Sequence, residues 1–195
     1  MAEMGFDPSS MPTGNMTSRF PRESERRMRT EKKFGDELLA FWQTDALPED
    51  AVVTLVTLIP YRGERPVLAW REGRLSLPEG EVREGETAEA ALRRVALEQA
   101  GLLDLSIRHL GHFRCKATVY SKTRAPGTIT YHALYAAEVG AFADFPADET
   151  FQRRVIAQRD LNVVLRTGYV ERRLEFIDAL DAWLLERLRA AAQKD

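Results

Sequence analysis

The segment from Leu77 to Leu102, LPEGEVREGETAEAALRRVALEQAGL, constrains the fold of this chain more than any other. It begins as a loop rich in glycine and glutamate and continues as a helix, with Thr87 suited to the N-cap and Gly101 to a left-handed end. Apolar residues at helical spacing give the helix one apolar face, formed by Ala88, Ala91, Leu92 and Val95. The segment therefore predicts an acidic loop that leads into an amphipathic helix packed on a sheet.

Strand patterns lie on both sides of this loop and helix. Residues 51–61 are rich in β-branched side chains, and residues 65–72 follow closely enough to form a hairpin with them. Two longer strands are predicted at 105–121 and 128–142. The order of the elements predicts a mixed α/β domain with a helix packed on a sheet.

Helical spacing recurs at both ends of the chain. A short helix is predicted at 34–42, and a long helix at 169–193. The apolar stripe of the long helix would consist of Val170, Leu174, Ile177, Leu184 and Leu188. Residues 1–33 contain all five methionines and little apolar periodicity, so they are predicted to form a disordered tail before a single domain at 34–195.

Composition excludes several classes of function. A net charge of −2 argues against nucleic acid and polybasic membrane surfaces as partners, and no apolar run is long enough to span a bilayer. The single cysteine, Cys115, excludes an internal disulfide and a cysteine-built zinc site. These features favour a cytoplasmic location and leave the oligomeric state open, a homodimer included.

The loop and helix resemble the signature of the Nudix superfamily. That signature runs glycine, five residues, Glu, seven residues, Arg-Glu, aliphatic, any residue, Glu-Glu, any residue, glycine, aliphatic. The matching positions in residues 80–102 are Gly80, Glu86, Arg94, Ala96, Glu98, Gly101 and Leu102. The resemblance implies a Nudix α/β/α sandwich with a mixed sheet, in which Glu86 and Arg94 brace the loop against the helix and the glycines allow its turns.

The departures from the signature concern its metal ligands. In the family, helix carboxylates hold magnesium against a pyrophosphate, because this hard cation requires oxygen ligands. The resemblance assigns the principal ligand positions to Val95 and Gln99, which carry no charge, and Arg83 replaces a further acid that is frequent in the loop. Residues 80–102, called the box from here on, are therefore predicted to be a degenerate form of the signature. No metal or other cofactor is expected, and Mg²⁺ would be required only if the protein is a hydrolase.

Other residues have both a functional and a structural interpretation. Glu98 is the one acid left in the run and could bind metal or act as a base, but an ion pair with Arg94 is favoured. Glu149 could supply a catalytic base after the last strand, although it also suits an ordinary surface turn. Acids in the loop, Glu79, Glu81 and Glu84, could bind a cation but are predicted to be solvated.

Three arginines near the box are candidate ligand-binding residues. Arg71, Arg74 and Arg83 would suit phosphate oxygens if they converge on a cleft, and otherwise form a solvated rim. The three histidines lack metal-ligand spacing and are predicted to be structural or exposed, and Cys115 to be a small buried side chain.

Three functions remain open from the sequence. The favoured one is a Nudix fold that binds a nucleotide or other phosphorylated ligand without efficient Mg-dependent hydrolysis. The second is an active Nudix hydrolase that cleaves a nucleoside diphosphate linked to another group. The third is a non-catalytic protein-interaction domain. The fold alone does not choose among them.

Overall fold

The computed structural model describes residues 26–28, 31–144 and 151–193 of the 195-residue chain. Within them the strands are β1 (Arg26–Met28), β2 (Lys32–Phe34), β3 (Glu37–Gln43), β4 (Val53–Arg62), β5 (Arg65–Arg71), β6 (Arg74–Ser76), β7 (Glu79–Glu81), β8 (Leu102–Ala117), β9 (Ile129–Phe142) and β10 (Gln152–Val155). The helices there are α1 (Ala88–Ala100), α2 (Gln158–Gly168) and α3 (Arg173–Ala192).

In the described part of the chain the strands form one mixed sheet. Their order is β1-β3-β8-β9-β4-β5-β10, with β2 beside β3, β6 beside β5 and β7 beside β4. Strands β4 and β9 run parallel, whereas β8 runs antiparallel to both β3 and β9. The mixed sheet confirms the α/β fold predicted from the sequence.

Helices cover both faces of the sheet, so the domain has two apolar cores. Side chains of β4 alternate between them: Val56 and Leu58 pack with α1, whereas Ile59 and Tyr61 pack with α2 and α3. This alternation makes β4 the shared wall of an α/β/α sandwich. It also brings the start of α3 to the face opposite α1.

The ends of α1 form as the sequence predicts. The Thr87 hydroxyl accepts a hydrogen bond from the N–H of Ala90 at 3.1 Å. At the other end Gly101 has a φ of 57°, and its N–H donates to the carbonyl of Leu97 at 2.9 Å. A left-handed residue at this point suits glycine because it has no Cβ. The predicted helix is confirmed.

The helix predicted at 34–42 is wrong, because this segment forms β2 and β3. Gly35, with a φ of 57°, and Asp36 turn the chain between Phe34 and Glu37, which face each other across the hairpin. A short run of apolar residues fits either helical or strand spacing. Pairing with β8 decides for the strand, since it satisfies the backbone hydrogen bonds of β3.

The C-terminal region also differs from its prediction. The sequence analysis placed no helix at α2, and α3 begins at Arg173 rather than at residue 169. Three members of the predicted stripe, Val170, Leu174 and Leu188, are exposed. The buried face of α3 instead consists of Glu175, Phe176, Ala179, Leu180 and Trp183. Within the described residues no helix combines the length and apolarity needed to cross a bilayer.

Part of the predicted tail belongs to the sheet. Residues 1–25 and 29–30 lie outside the described residues, but β1 and β2 both pair with β3. In β2 the Lys32 ammonium lies 2.6 Å from the carboxylate of Glu175, which is 2% exposed on the buried face of α3. The boundary between tail and domain therefore lies before residue 34.

We expect Lys32→Met to destabilise the domain, because it would leave the buried Glu175 carboxylate without its ammonium partner. The loss should be about 1–3 kcal/mol in the free energy of unfolding, measured by urea denaturation. Lys33→Met is the matched control, because the neighbouring Lys33 is exposed and lies over the ring of Tyr120. Equal stability of the two variants would show that the Lys32 contact contributes nothing.

Candidate functional site

The loop of residues 82–87, the box loop, connects β7 to α1 and is closed by an internal hydrogen bond. β7 lies beside β4, with Gly80 opposite Val56. Within the loop, the carboxylate of Glu86 accepts a hydrogen bond from the N–H of Arg83 at 3.0 Å. The loop is thus held to the sheet at its start and closed by its own glutamate before α1 begins.

Arg94 fastens this loop to α1. Its guanidinium donates to both carboxylate oxygens of Glu86 at 2.8 Å and to the carbonyl of Glu81 at 2.9 Å. Because of these bonds, with a smaller contribution from the N–H of Arg83, the pKa of Glu86 is lowered to about 2. Arg94 also pairs more loosely with Glu98 at 3.4 Å. Arg94 therefore holds the loop against the helix.

Val95 occupies the contact between α1 and β7. It is 1% exposed, which confirms that the apolar face of the helix extends to this residue. A Cβ added at Gly80 would lie 2.5 Å from a methyl group of Val95, so the glycine is required for this close approach. The valine fills the space in which a carboxylate would need water or a cation as a partner.

Gln99, one turn later, is hydrogen-bonded to the backbone of Glu79. Its amide oxygen accepts from the Glu79 N–H at 3.1 Å, and its amide nitrogen donates to the Glu79 carbonyl at 2.8 Å. A carboxylate could not replace both bonds, because it has no hydrogen to donate and would face the carbonyl oxygen. The amide therefore makes a direct bond where a carboxylate would need a cation in between.

The side chain of Glu79 extends the connection to the far side of the sheet. Its carboxylate accepts from the hydroxyl of Thr57 at 2.5 Å and from two guanidinium nitrogens of Arg172 at 3.1 and 3.4 Å. Arg172 stands at the start of α3 and lies over the rings of Tyr169 and Phe176. Glu79 thus connects the box to α3.

The acidic residues of the loop and helix differ in their burial and in their ion pairs. Glu79 is partly buried and paired, so its prediction as a solvated loop acid is wrong, whereas Glu81 and Glu84 are exposed. Glu98 is about half exposed and lies between two guanidinium groups, those of Arg94 at 3.4 Å and of Arg83 at 3.7 Å. The candidate base Glu149 lies outside the described residues.

Two of the three candidate arginines lie on one hairpin, and the third lies on the box loop. Arg71 and Arg74 face each other across the turn between β5 and β6, and both are exposed. Arg71 also lies over the ring of Phe151, with its guanidinium carbon 5.2 Å from the ring centroid. Arg83 belongs to the box loop, and its side chain is 64% exposed. All three cations can therefore reach solvent.

A groove of about 350 Å³ runs beside the box loop. It separates the segment of residues 47–53 from the start of α1. Its lining includes Leu47, Pro48, Val82, Glu86 and Thr87. The groove has the size of a small ligand site and is bordered by the same loop that carries the exposed arginine.

The histidines and the cysteine lie in the sheet. Burial lowers the pKa of His109, His112 and His132 to about 4, so the three imidazoles are neutral at pH 7. Burial also raises the pKa of the Cys115 thiol to about 12. The prediction that Cys115 is buried is confirmed, since its side chain is inaccessible to solvent.

Sequence analysis missed the partners of Glu79. Arg172 is 93 residues away from it along the chain, and no local pattern connects the two. Gln99 did carry a signal: an uncharged polar residue one turn beyond Val95, on the same side of the helix, needs a hydrogen-bond partner if it is buried. The sequence could not show that this partner is the backbone of Glu79.

A sequence profile identifies the family of this scaffold. The profile of the NUDIX domain matches residues 51–180, about two thirds of the chain. The chain belongs to the NUDIX family. The matched range includes the whole box and ends at residue 180, within α3, so it also includes Arg172 and Phe176. A search among curated proteins gave no match.

Solved structures similar to this NUDIX domain have low sequence identity to it. A mutant of the Bacillus subtilis pyrophosphohydrolase BsRppH is 17% identical, with a TM-score of 0.54 over 77% of this chain and 96% of that one. A NUDIX hydrolase from Nitrosomonas europaea is 16% identical, with a TM-score of 0.47 over 67% of this chain and 89% of that one. The C. elegans Ap4A hydrolase is 19% identical, with a TM-score of 0.44 over 68% of this chain and 98% of that one. At 17% identity the first similarity shows the fold alone.

We expect Val95→Asp to destabilise the protein, because it buries a carboxylate against the backbone of β7 without a partner. The cost should be about 2–4 kcal/mol in the free energy of unfolding, measured by urea denaturation without divalent cations. Leu97→Asp is the matched control, since Leu97 is 45% exposed on the same helix. A Val95 variant as stable as the control would mean that water reaches this face.

The ion pair of Glu86 and Arg94 should make stability depend on pH. Because the pKa of Glu86 falls from its ordinary value of 4.5 to about 2 on folding, its contribution is complete above pH 4.5 and is lost as the pH falls towards 2. The difference in unfolding free energy between wild type and Glu86→Gln should therefore be smaller at about pH 3.5 than at about pH 6. Urea denaturation at both pH values measures it, and an unchanged difference would contradict the ion pair.

Proposed function

We propose that this NUDIX domain binds a nucleotide or another phosphorylated ligand without efficient Mg-dependent hydrolysis. The observation that carries the proposal is the pair of hydrogen bonds from the Gln99 amide to the backbone of Glu79. With the buried Val95 one turn earlier, this amide takes the place of the charged ligands that magnesium chemistry needs.

Electrostatics around the remaining helix acid support the same conclusion. Mg²⁺ gives up its hydration water reluctantly and is usually held by one or two carboxylates together with substrate phosphates. Glu98 is the remaining acid of the signature's Glu-Glu pair, and two guanidinium groups lie within 4.0 Å of it. A cation at Glu98 would have to compete with both of them.

Exposed guanidinium groups support a phosphorylated ligand. Arg83 belongs to the box loop, beside a groove of about 350 Å³ that is itself lined by Glu49 and Glu86 and, among the described residues, by no arginine. Arg71 and Arg74 are exposed on the hairpin of β5 and β6. Guanidinium groups bind phosphate oxygens through paired hydrogen bonds, so these three residues are the proposed ligand contacts.

The proposal includes neither nucleic acid nor a membrane as partner, because the net charge is −2. It places the protein in the cytoplasm, where the single buried cysteine needs no disulfide partner. A homodimer is compatible with it.

Ligand binding and hydrolysis can be tested on the same preparation. We expect nucleoside diphosphates or sugar nucleotides to raise the melting temperature equally in Mg²⁺ and in EDTA, with no Mg-dependent hydrolysis above a control without enzyme. Replacing Arg71, Arg74 and Arg83 together by alanine should weaken binding on the order of tenfold or more. Arg93→Ala is the control, because Arg93 pairs with Glu89 on the exposed side of α1. Mg-dependent turnover that is lost in Glu98→Gln would establish the hydrolase instead.

A designed variant tests whether the uncharged side chains of Val95 and Gln99 are the reason for the proposed lack of efficient hydrolysis. The double change Val95→Glu with Gln99→Glu puts two carboxylates one turn apart beside the Glu79 carbonyl. We expect Mg²⁺ to raise the melting temperature of this variant and to leave that of the wild type unchanged, because only the variant offers a charged oxygen site. Val95→Gln is the control with similar size and no charge. No response of the double variant would show that more than these two positions has changed.

A further inference from the structure

A second group of potential ligands lies on the α3 face of the sheet, away from Val95 and Gln99. Glu37 on β3, Cys115 on β8 and His132 on β9 each offer one potential ligand atom, and these atoms lie within 4.8 Å of one another. The three strands are direct neighbours, with β8 in the middle. Cys115 lies opposite Thr130, two residues from His132 on β9, so both donors are on one face.

The chemistry of these donors differs from that of the NUDIX box. A thiolate and an imidazole favour Zn²⁺ over Mg²⁺, which prefers oxygen ligands alone. Zinc binds sulfur, nitrogen and oxygen at about 2.0–2.3 Å, which places tetrahedral ligands roughly 3.3–3.8 Å apart. The donor atoms therefore need to approach one another by about 1 Å. Rotation of the Glu37 and His132 side chains can supply a movement of this size.

We propose that Glu37, Cys115 and His132 form a binding site for a thiophilic divalent cation, with Zn²⁺ as the ligand. Three protein donors leave the fourth tetrahedral position to water or to an anionic ligand atom. The site shares no residue with the proposed contacts of the phosphorylated ligand or with the box.

Two guanidinium groups lie near the three donors, and a bound cation would compete with Arg124 for Glu37 and be repelled by Arg172. Arg124 forms an ion pair with one oxygen of Glu37, and its guanidinium also donates to the hydroxyl of Thr130 at 2.5 Å. A carboxylate has lone pairs on both oxygens, so Glu37 can keep Arg124 and still bind a metal. The charges of Zn²⁺, a Cys115 thiolate and a Glu37 carboxylate sum to zero. Because the thiol loses its proton when Zn²⁺ enters, binding changes the net charge of the three donors from −1 to 0 beside Arg124.

A purely structural explanation makes a different prediction. If Glu37 serves only to neutralise Arg124, the full-length protein, treated with chelator and then dialysed free of it, will bind Co²⁺ or Zn²⁺ no better than surface groups do. If the proposal is right, Co²⁺ will bind at a 1:1 ratio and give tetrahedral d–d absorption with a thiolate-to-cobalt charge-transfer band. Zn²⁺ will then displace it and raise the melting temperature.

Variants of the donors decide between these outcomes. Cys115→Ser should abolish the charge-transfer band, and His132→Asn should lower the Zn²⁺ affinity on the order of tenfold or more in calorimetry. His112→Asn is the matched control, since this buried histidine of β8 lies on the opposite face against Tyr131. Glu98→Gln should leave binding unchanged, which separates this site from the box.

The wild type keeps the proposal falsifiable even if a donor variant fails to fold. Absence of the charge-transfer band together with an unchanged melting temperature in Zn²⁺ would overturn it. The proposal would also be overturned if the wild type, a folded His132→Asn variant and the His112→Asn variant all bound Zn²⁺ with equal affinity.

Discussion

The main chain and side chain of Glu79 together join the three layers of this domain. The Gln99 amide holds its backbone from α1, and Arg172 holds its carboxylate from the start of α3. Thr57 on β4 donates to the same carboxylate. Because the residue is partly buried, each of these bonds satisfies a group that water reaches poorly. These bonds of one residue connect the box helix to the sheet and to α3, in addition to the apolar packing beneath α1.

The same connection explains how the box is held in shape with Val95 and Gln99 in its helix. Arg94 closes the loop through Glu86, and the absence of a Cβ at Gly80 lets Val95 pack against β7. These contacts need neither a metal nor water. A loop that depended on a bound cation for its conformation would lose that conformation with the ligands, whereas this one is held by hydrogen bonds and close packing alone.

The two faces of the sheet carry different chemistry because strand side chains alternate. Below α1 the β4 side chains are apolar, and the box rests on them. On the α3 face, beyond the start of that helix, the strands present Thr57, Thr130, Cys115 and His132. A polar group of this kind costs free energy unless each member finds a partner, and the observed partners are carboxylates and guanidinium groups. This is why the charged side chains of Glu79, Arg172 and Arg124 accompany the polar side chains on this face.

The sequence by itself determined the box loop, α1 with both of its ends, the central strands and the burial of Val95. These features follow from local spacing, capping residues and glycine positions, which act over a few residues. The uncharged side chains of Val95 and Gln99 are also evident from the sequence, since residue identity needs no structure. Only the tertiary structure decided that residues 34–42 belong to the hairpin of β2 and β3, that Phe176 and Trp183 face the core in α3, and that Gln99, Glu79 and Arg172 form one chain of contacts. In each case the deciding partner lies far away in sequence: short apolar runs fit two periodicities, and buried polar groups take whichever partner the folded sheet brings near.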